Sequence, residues 1–160
     1  MPMHRPAGRL CPPTLTAGFG LLEILAALTL VALLVALAVP GLSRHLERSR
    51  EASLAADMAS IELAIERFQL INNALPASLA DVGMDTLEDP WGNGYRYLNL
   101  ATAAPGQARK DRFLVPLNTD YDLYSMGPDG ASQTPLTAAA SRDDYIRAND
   151  GRFHGWASHY

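Results

Sequence analysis

Only one cysteine occurs in the 160 residues, Cys11, and it lies ahead of the chain's apolar run. No disulfide can therefore hold a domain together beyond it, and a cysteine nucleophile or cysteine-ligated zinc is excluded there. Basic residues are also in the minority: 13 Lys and Arg face 17 Asp and Glu, a formal charge of -4. Without a basic face, nucleic acid is not expected as a partner. The local cluster Arg109, Lys110 and Arg112 reads as solvated loop charge. Catalytic signatures are missing as well. There is no nucleophile elbow and no glycine loop opening a helix to cradle phosphate, and His154 and His159 lack the ligand spacing of a zinc site. No enzyme activity is expected.

One long hydrophobic stretch is present. From Phe19 to Leu42 the residues are apolar all round with a single charge, Glu23. As a helix this segment spans ~36 Å, enough for a ~30 Å hydrocarbon core. A secretory signal places its apolar region before the cleavage site. Here a polar, proline-containing stretch with Arg5 and Arg9 comes first and the apolar region follows. Arg44, Arg48 and Arg50 come after it, so the flanking basic residues do not orient the segment. Glu23 is the informative position. A carboxylate at mid-membrane costs about 3 kcal/mol on insertion scales, less near a helix end, and such acids are usually partnered. A free amine on Phe19 would lie one turn away and could neutralise Glu23 in the same or a neighbouring subunit, setting axial register in a stack of helices.

Gly18-Phe19-Gly20-Leu21-Leu22-Glu23 resembles the cleavage and methylation motif of type IV pilin-like prepilins. Gly20 stands where Thr or Ser is more frequent. The resemblance implies a leader at residues 1–18, cut after Gly18 by a prepilin peptidase, with N-methylation of Phe19. It also implies a transmembrane and filament-core helix at 19–42, and a periplasmic domain at 43–160 that includes the amphipathic half of the helix. Pro40 falls where these proteins commonly carry a helix-interrupting proline. Together with Gly41 it predicts a break or kink.

Beyond Pro40, Leu54, Met58, Ile61, Ile65 and Phe68 repeat on one helical face up to Asn72, and Asn73 and Pro76 end the helix. Residues 79–87 read as a loop or short helix. After the turn at Asp89-Pro90-Trp91-Gly92-Asn93-Gly94 come three strand-like runs: Tyr95–Leu100, Phe113–Leu117 and Tyr121–Met126. Asn118-Thr119-Asp120 makes a hairpin between the last two. The predicted fold is α+β: a long N-terminal helix with a small antiparallel sheet of about three strands packed on its C-terminal half. Trp91 and Tyr97 are assigned to core and sheet packing.

Asp89-Pro90-Trp91-Gly92-Asn93, Tyr95-Arg96-Tyr97 and Asp122-Leu123-Tyr124-Ser125-Met126-Gly127-Pro128-Asp129-Gly130 are similar to the major pseudopilins of type II secretion. That resemblance implies a subunit of a periplasmic pseudopilus, anchored in the bacterial inner membrane. Its expected partners are copies of itself, other pseudopilins, the peptidase and the inner-membrane assembly platform. A surface type IV pilin, for adhesion, motility or DNA uptake, is the alternative. Many such pilins carry a C-terminal disulfide, which this chain cannot form. The resemblance also implies calcium in the loop after the third strand. The Met126 carbonyl, the Asp129 carboxylate and one of Asp143 and Asp144 would supply oxygens of the kind calcium takes. The other use of Pro128-Asp129-Gly130 is a plain turn.

Overall fold

The computed structural model describes residues 20–160, with only the backbone of Pro40. The predicted leader, Gly18 and Phe19 lie outside the described residues. The chain divides into two units, Met1–Ser43 and Arg44–Tyr160.

Helix α1 runs from Leu21 to Asn72. It is continuous over Pro40 and Gly41, so the predicted break is not found as an interruption of the helix. One proline removes one N–H from the ladder at a cost of about 3 kcal/mol. The remaining bonds of so long a run are enough to carry the helical path past it. The helix ends where expected, with Asn73 in the left-handed region (φ 52°) and its N–H bonded to the Gln69 carbonyl at 2.8 Å.

In the second unit four strands form one antiparallel sheet in the order β1 (Arg96–Asn99), β2 (Tyr121–Ser125), β3 (Tyr145–Ala148) and β4 (Phe153–Trp156). The predicted α+β class holds, with four strands rather than three. Two of the expected strands are present in shortened form, and two differences have physical causes. Phe113–Leu117 is not a strand. The Asp111 carboxylate accepts from the N–H groups of both Phe113 (2.8 Å) and Val115 (2.9 Å), and Leu114 sits at φ 62°. A side chain that satisfies two backbone donors locally gives the segment an alternative to a sheet ladder. Phe113, Leu114 and Val115 are consequently exposed. The Asn118–Asp120 segment therefore joins a turn, not a strand, to β2. The other difference is the β3–β4 hairpin, which was not predicted. Its turn carries Asn149, Asp150 and Gly151 at φ 53°, 54° and 84°, the residue types that tolerate that region.

The main core forms where the helix meets the sheet. Leu54, Met58, Ile61 and Ile65 are completely buried and cluster with Tyr95, Tyr121, Leu123 and Tyr145. A second cluster, Leu117, Leu136, Ile146, Ala148 and Ala157, lies elsewhere in the unit. Polar ties fix the helix in register against the strands. Tyr95 donates to Asp57 at 2.9 Å, and Arg147 on β3 donates to Glu62 at 2.6 Å. Burial of Tyr95, with Asp57 beside it, pushes its phenol well above the usual range. The Tyr97 hydroxyl donates to the Pro76 carbonyl at 2.9 Å and its ring packs on Tyr121, so Tyr97 is a packing residue, as the sequence indicated.

Candidate functional site

Two parts of the chain carry the residues singled out by sequence. The first is the start of α1. Glu23 lies in its first turn, is exposed, and donates its backbone N–H to the Gly20 carbonyl at 3.0 Å. The large apolar side chains from Leu21 to Leu42 are exposed too. One helix is thus long and apolar enough to cross a membrane. Those side chains need lipid or other apolar helices around them, because water is a poor solvent for such a stretch.

The second part is the loop after β2, and the turn before β1 builds it. Asp89, a buried carboxylate, accepts from the N–H groups of Trp91 (3.0 Å) and Asn93 (2.9 Å) through Oδ1. Its Oδ2 accepts from the Ser125 hydroxyl at 2.6 Å. That hydroxyl accepts from the Gly127 N–H (3.1 Å), and Asn93 donates its side-chain amide to the Gly127 carbonyl (2.9 Å). The Asp89–Asn93 turn is therefore a brace for Ser125–Gly130. Sequence reading saw only its turn character, since a contact 34 residues away leaves no local pattern.

Gly127 is at φ 65°, and a Cβ there would stand 2.1 Å from the Asp143 carbonyl oxygen and 3.2 Å from its Oδ2. The loop after β2 and Asp143 are thus in direct contact. Gly127→Ala is expected to displace Asp143 and destabilise the unit by at least about 2 kcal/mol, from left-handed strain plus a clash with backbone that cannot rotate away. A thermal melt of the variant checks this, and an unchanged midpoint would contradict the close approach.

The structure separates the two adjacent acids. Asp143 is half-buried beside Gly127, and Asp129 is exposed with Oδ1 accepting from the Ala131 N–H at 2.8 Å. Asp144 points into the protein and pairs with Arg109 at 2.5 Å, both side chains being buried. Ser132 donates to the same Asp144 oxygen at 2.6 Å and also bonds Arg109. Arg109 is therefore not a solvated loop charge. Its guanidinium is enclosed, stacked 4.0 Å from the Tyr124 ring centroid, while its backbone N–H donates to buried Asp122 at 2.7 Å. Burial raises the Asp144 carboxyl pKa even though Ser132 and Arg109 favour its charged form. Among the described residues, no group of three or more His, Cys, Asp or Glu side chains is placed to hold a metal ion.

A protein of Aeromonas hydrophila named type II secretion system core protein G is 28% identical over 141 residues, covering 74% of this chain and 87% of its own length. This chain is similar to type II secretion system core protein G. The protein of that name from Pectobacterium carotovorum subsp. carotovorum is 29% identical over 140 residues, 73% of this chain and 79% of its own. The one from Escherichia coli (strain K12) is 27% identical over 140 residues, 73% and 85%. No family model and no solved structure matches the chain. The likeness to core protein G agrees with the resemblance to type II secretion pseudopilins read from the sequence.

Proposed function

We propose that this chain is a structural subunit of a type II secretion pseudopilus. The observation that carries the reading is the exposed apolar half of α1 with one acid, Glu23, in its first turn, on a chain similar to core protein G. Before assembly the apolar side chains would lie in the inner membrane, with the Arg44–Tyr160 unit in the periplasm. After assembly they would pack against the same helices of other copies, so lipid contact is exchanged for helix contact. The prepilin peptidase would cut after Gly18, and Phe19 would be methylated on its new amine. That amine would neutralise Glu23, and the pairing would fix how far each copy is displaced along the filament. Other pseudopilins and the inner-membrane platform would be its assembly partners.

Glu23→Val keeps the helix apolar but removes the register. Filaments and export should fall to near zero while the chain still fractionates with membranes. Normal filaments from this variant would defeat the reading. Mass spectrometry of the mature N-terminus should find methylated Phe19 first.

Calcium is part of this reading. Asp129 and Asp143 carboxylates with the Met126 carbonyl are oxygen donors of the type calcium takes, and the Gly127–Asp143 contact brings their loops together. Asp144 is the poorer of the two adjacent acids, since the Arg109 charge already neutralises it. Saturating calcium should stabilise the wild-type chain by RT ln(1 + [L]/Kd), about 2.7 kcal/mol at a hundredfold excess over Kd, and so raise its melting temperature. Asp129→Ala should abolish the rise. A wild-type melt indifferent to calcium and chelator would end the calcium assignment and leave the filament reading standing.

A further inference from the structure

A cavity of about 490 Å³ in the Arg44–Tyr160 unit opens against the first turns of α1 beyond the apolar run. Its helical wall carries Arg44, Glu47, Arg48 and Glu51, spaced i, i+3, i+4 and i+7, so all four share one stripe. Among the described residues none of these four makes an ion pair. The opposite wall is aromatic. Trp91 and Trp156 meet edge to face at 6.1 Å, and Arg50 lies 5.8 Å from the Trp91 ring centroid. Pro128 and Asp143 from the loop after β2 close the remaining side.

The cavity's composition is unusual for simple surface charge. Three guanidiniums and three carboxylates surround an indole floor, a balance that suits a zwitterion better than an anion. Guanidiniums pair with phosphate oxygens through charge-assisted bonds. Carboxylates and indole faces receive an ammonium, the latter by cation–π attraction. Chain continuity supplies the location. Arg44 follows Leu42 by two residues, so the wall begins within one turn of the end of the apolar segment. Tryptophan is enriched at the headgroup level of bilayers, and arginine anchors the ends of spanning helices there.

We propose that this cavity binds the headgroup of a phosphatidylethanolamine-type lipid, the phosphodiester held by Arg44 and Arg48 and the primary ammonium by Glu47, Glu51 and the two indoles. The inference rests on the membrane-spanning reading of Phe19–Leu42. A lipid held there would seat the domain on the membrane surface until the subunit leaves for the filament.

Trp91 and Trp156 are the only two tryptophans in the chain, so emission excited selectively from tryptophan, and not from the six tyrosines, reports this cavity alone. The full chain is reconstituted in phosphatidylcholine vesicles containing increasing fractions of phosphatidylethanolamine or of phosphatidylglycerol. Emission should change saturably with the ethanolamine lipid. Arg44→Gln/Arg48→Gln and Glu47→Gln/Glu51→Gln should each require roughly tenfold more of it, the cost of losing charge-assisted hydrogen bonds. Both double variants alter exposed helix positions, and circular dichroism verifies that they fold. An equal response to phosphatidylglycerol would make this a phosphate site and overturn the proposal. So would saturation by millimolar free phosphoethanolamine, a response that follows protein density instead of lipid (a second copy filling the cavity), or flat emission. Vesicle flotation is read in parallel. A chain that floats with flat emission loses only the headgroup site, whereas a chain that does not float loses the spanning reading as well.

Discussion

Replacing Asp144 with alanine is expected to destabilise the Arg44–Tyr160 unit by about 3–5 kcal/mol, because it strands the enclosed Arg109 guanidinium without a counter-charge. Thermal unfolding in detergent should show a midpoint lowered by roughly 15 °C or more. The pair itself, however, is not an efficient source of stability. Arg109 Nε and Asp144 Oδ1 are buried without hydrogen-bond partners. Burial also pushes the Asp144 carboxyl upward, which means that folding holds it ionised at a cost. An apolar pair of similar volume, Arg109→Met with Asp144→Leu, should therefore melt within about 1 kcal/mol of the wild type, or above it. If the double variant were as unstable as Asp144→Ala, the value of the ion pair would have to be attractive rather than compensatory.

The second large effect is expected at Arg147. This guanidinium donates to Glu62 on α1 (2.6 Å), to both Asp120 oxygens (2.7 and 2.8 Å) and to the Tyr121 carbonyl (3.1 Å), and lies 4.0 Å from the Tyr121 ring centroid. Arg147→Ala should cost about 3 kcal/mol, less than the full buried-pair figure because Asp120 keeps contact with water. Lysine should rescue only part of this, since it cannot bond two carboxylates in one plane. The pH dependence is set by Glu62. Burial raises its pKa, but the hydrogen bond and charge of His154 and the charge of Arg147 outweigh this and hold it below the ordinary glutamate range. A depressed carboxyl stabilises the fold at pH values above its unfolded pKa, and that contribution is lost as pH falls through its folded value. The stability gap between wild type and Glu62→Gln should thus be present at pH values above the normal glutamate range and close on acidification below it. A gap that grew with acid would reverse the assignment.

These networks show where sequence reasoning reached and where it stopped. The stripe Leu54, Met58, Ile61 and Ile65 was legible because helix burial repeats at a fixed spacing, and all four are fully buried. The Gly18–Glu23 motif stays a reading of the sequence alone: Gly18 and Phe19 lie outside the described residues, and Glu23 is exposed in the first turn of α1. Phe113–Leu117 was misread because strand propensity says nothing of Asp111 bonding to two backbone donors. The β3–β4 hairpin was missed although Asn149-Asp150-Gly151 is a turn signal between two short aromatic-bearing runs, Tyr145–Ala148 and Phe153–Trp156. That signal was available. Arg109 and Asp144, 35 residues apart, carried none. Nothing local distinguishes an arginine bound for the interior from one left in water.

The distance along the chain between Glu62 and its partners has a consequence during synthesis. Arg147 is 85 residues later and His154 is 92, while Tyr145 and Trp156 help cover the buried stripe of α1. At about 5–20 residues per second, a ribosome takes roughly 4–18 s to make that span. Until that interval ends, the second half of α1 presents Leu54, Met58, Ile61 and Ile65 to an incomplete sheet, because only β1 and β2 precede Arg147. The helix is made first and covered last, so its apolar stripe is the part of the nascent chain most in need of a temporary companion.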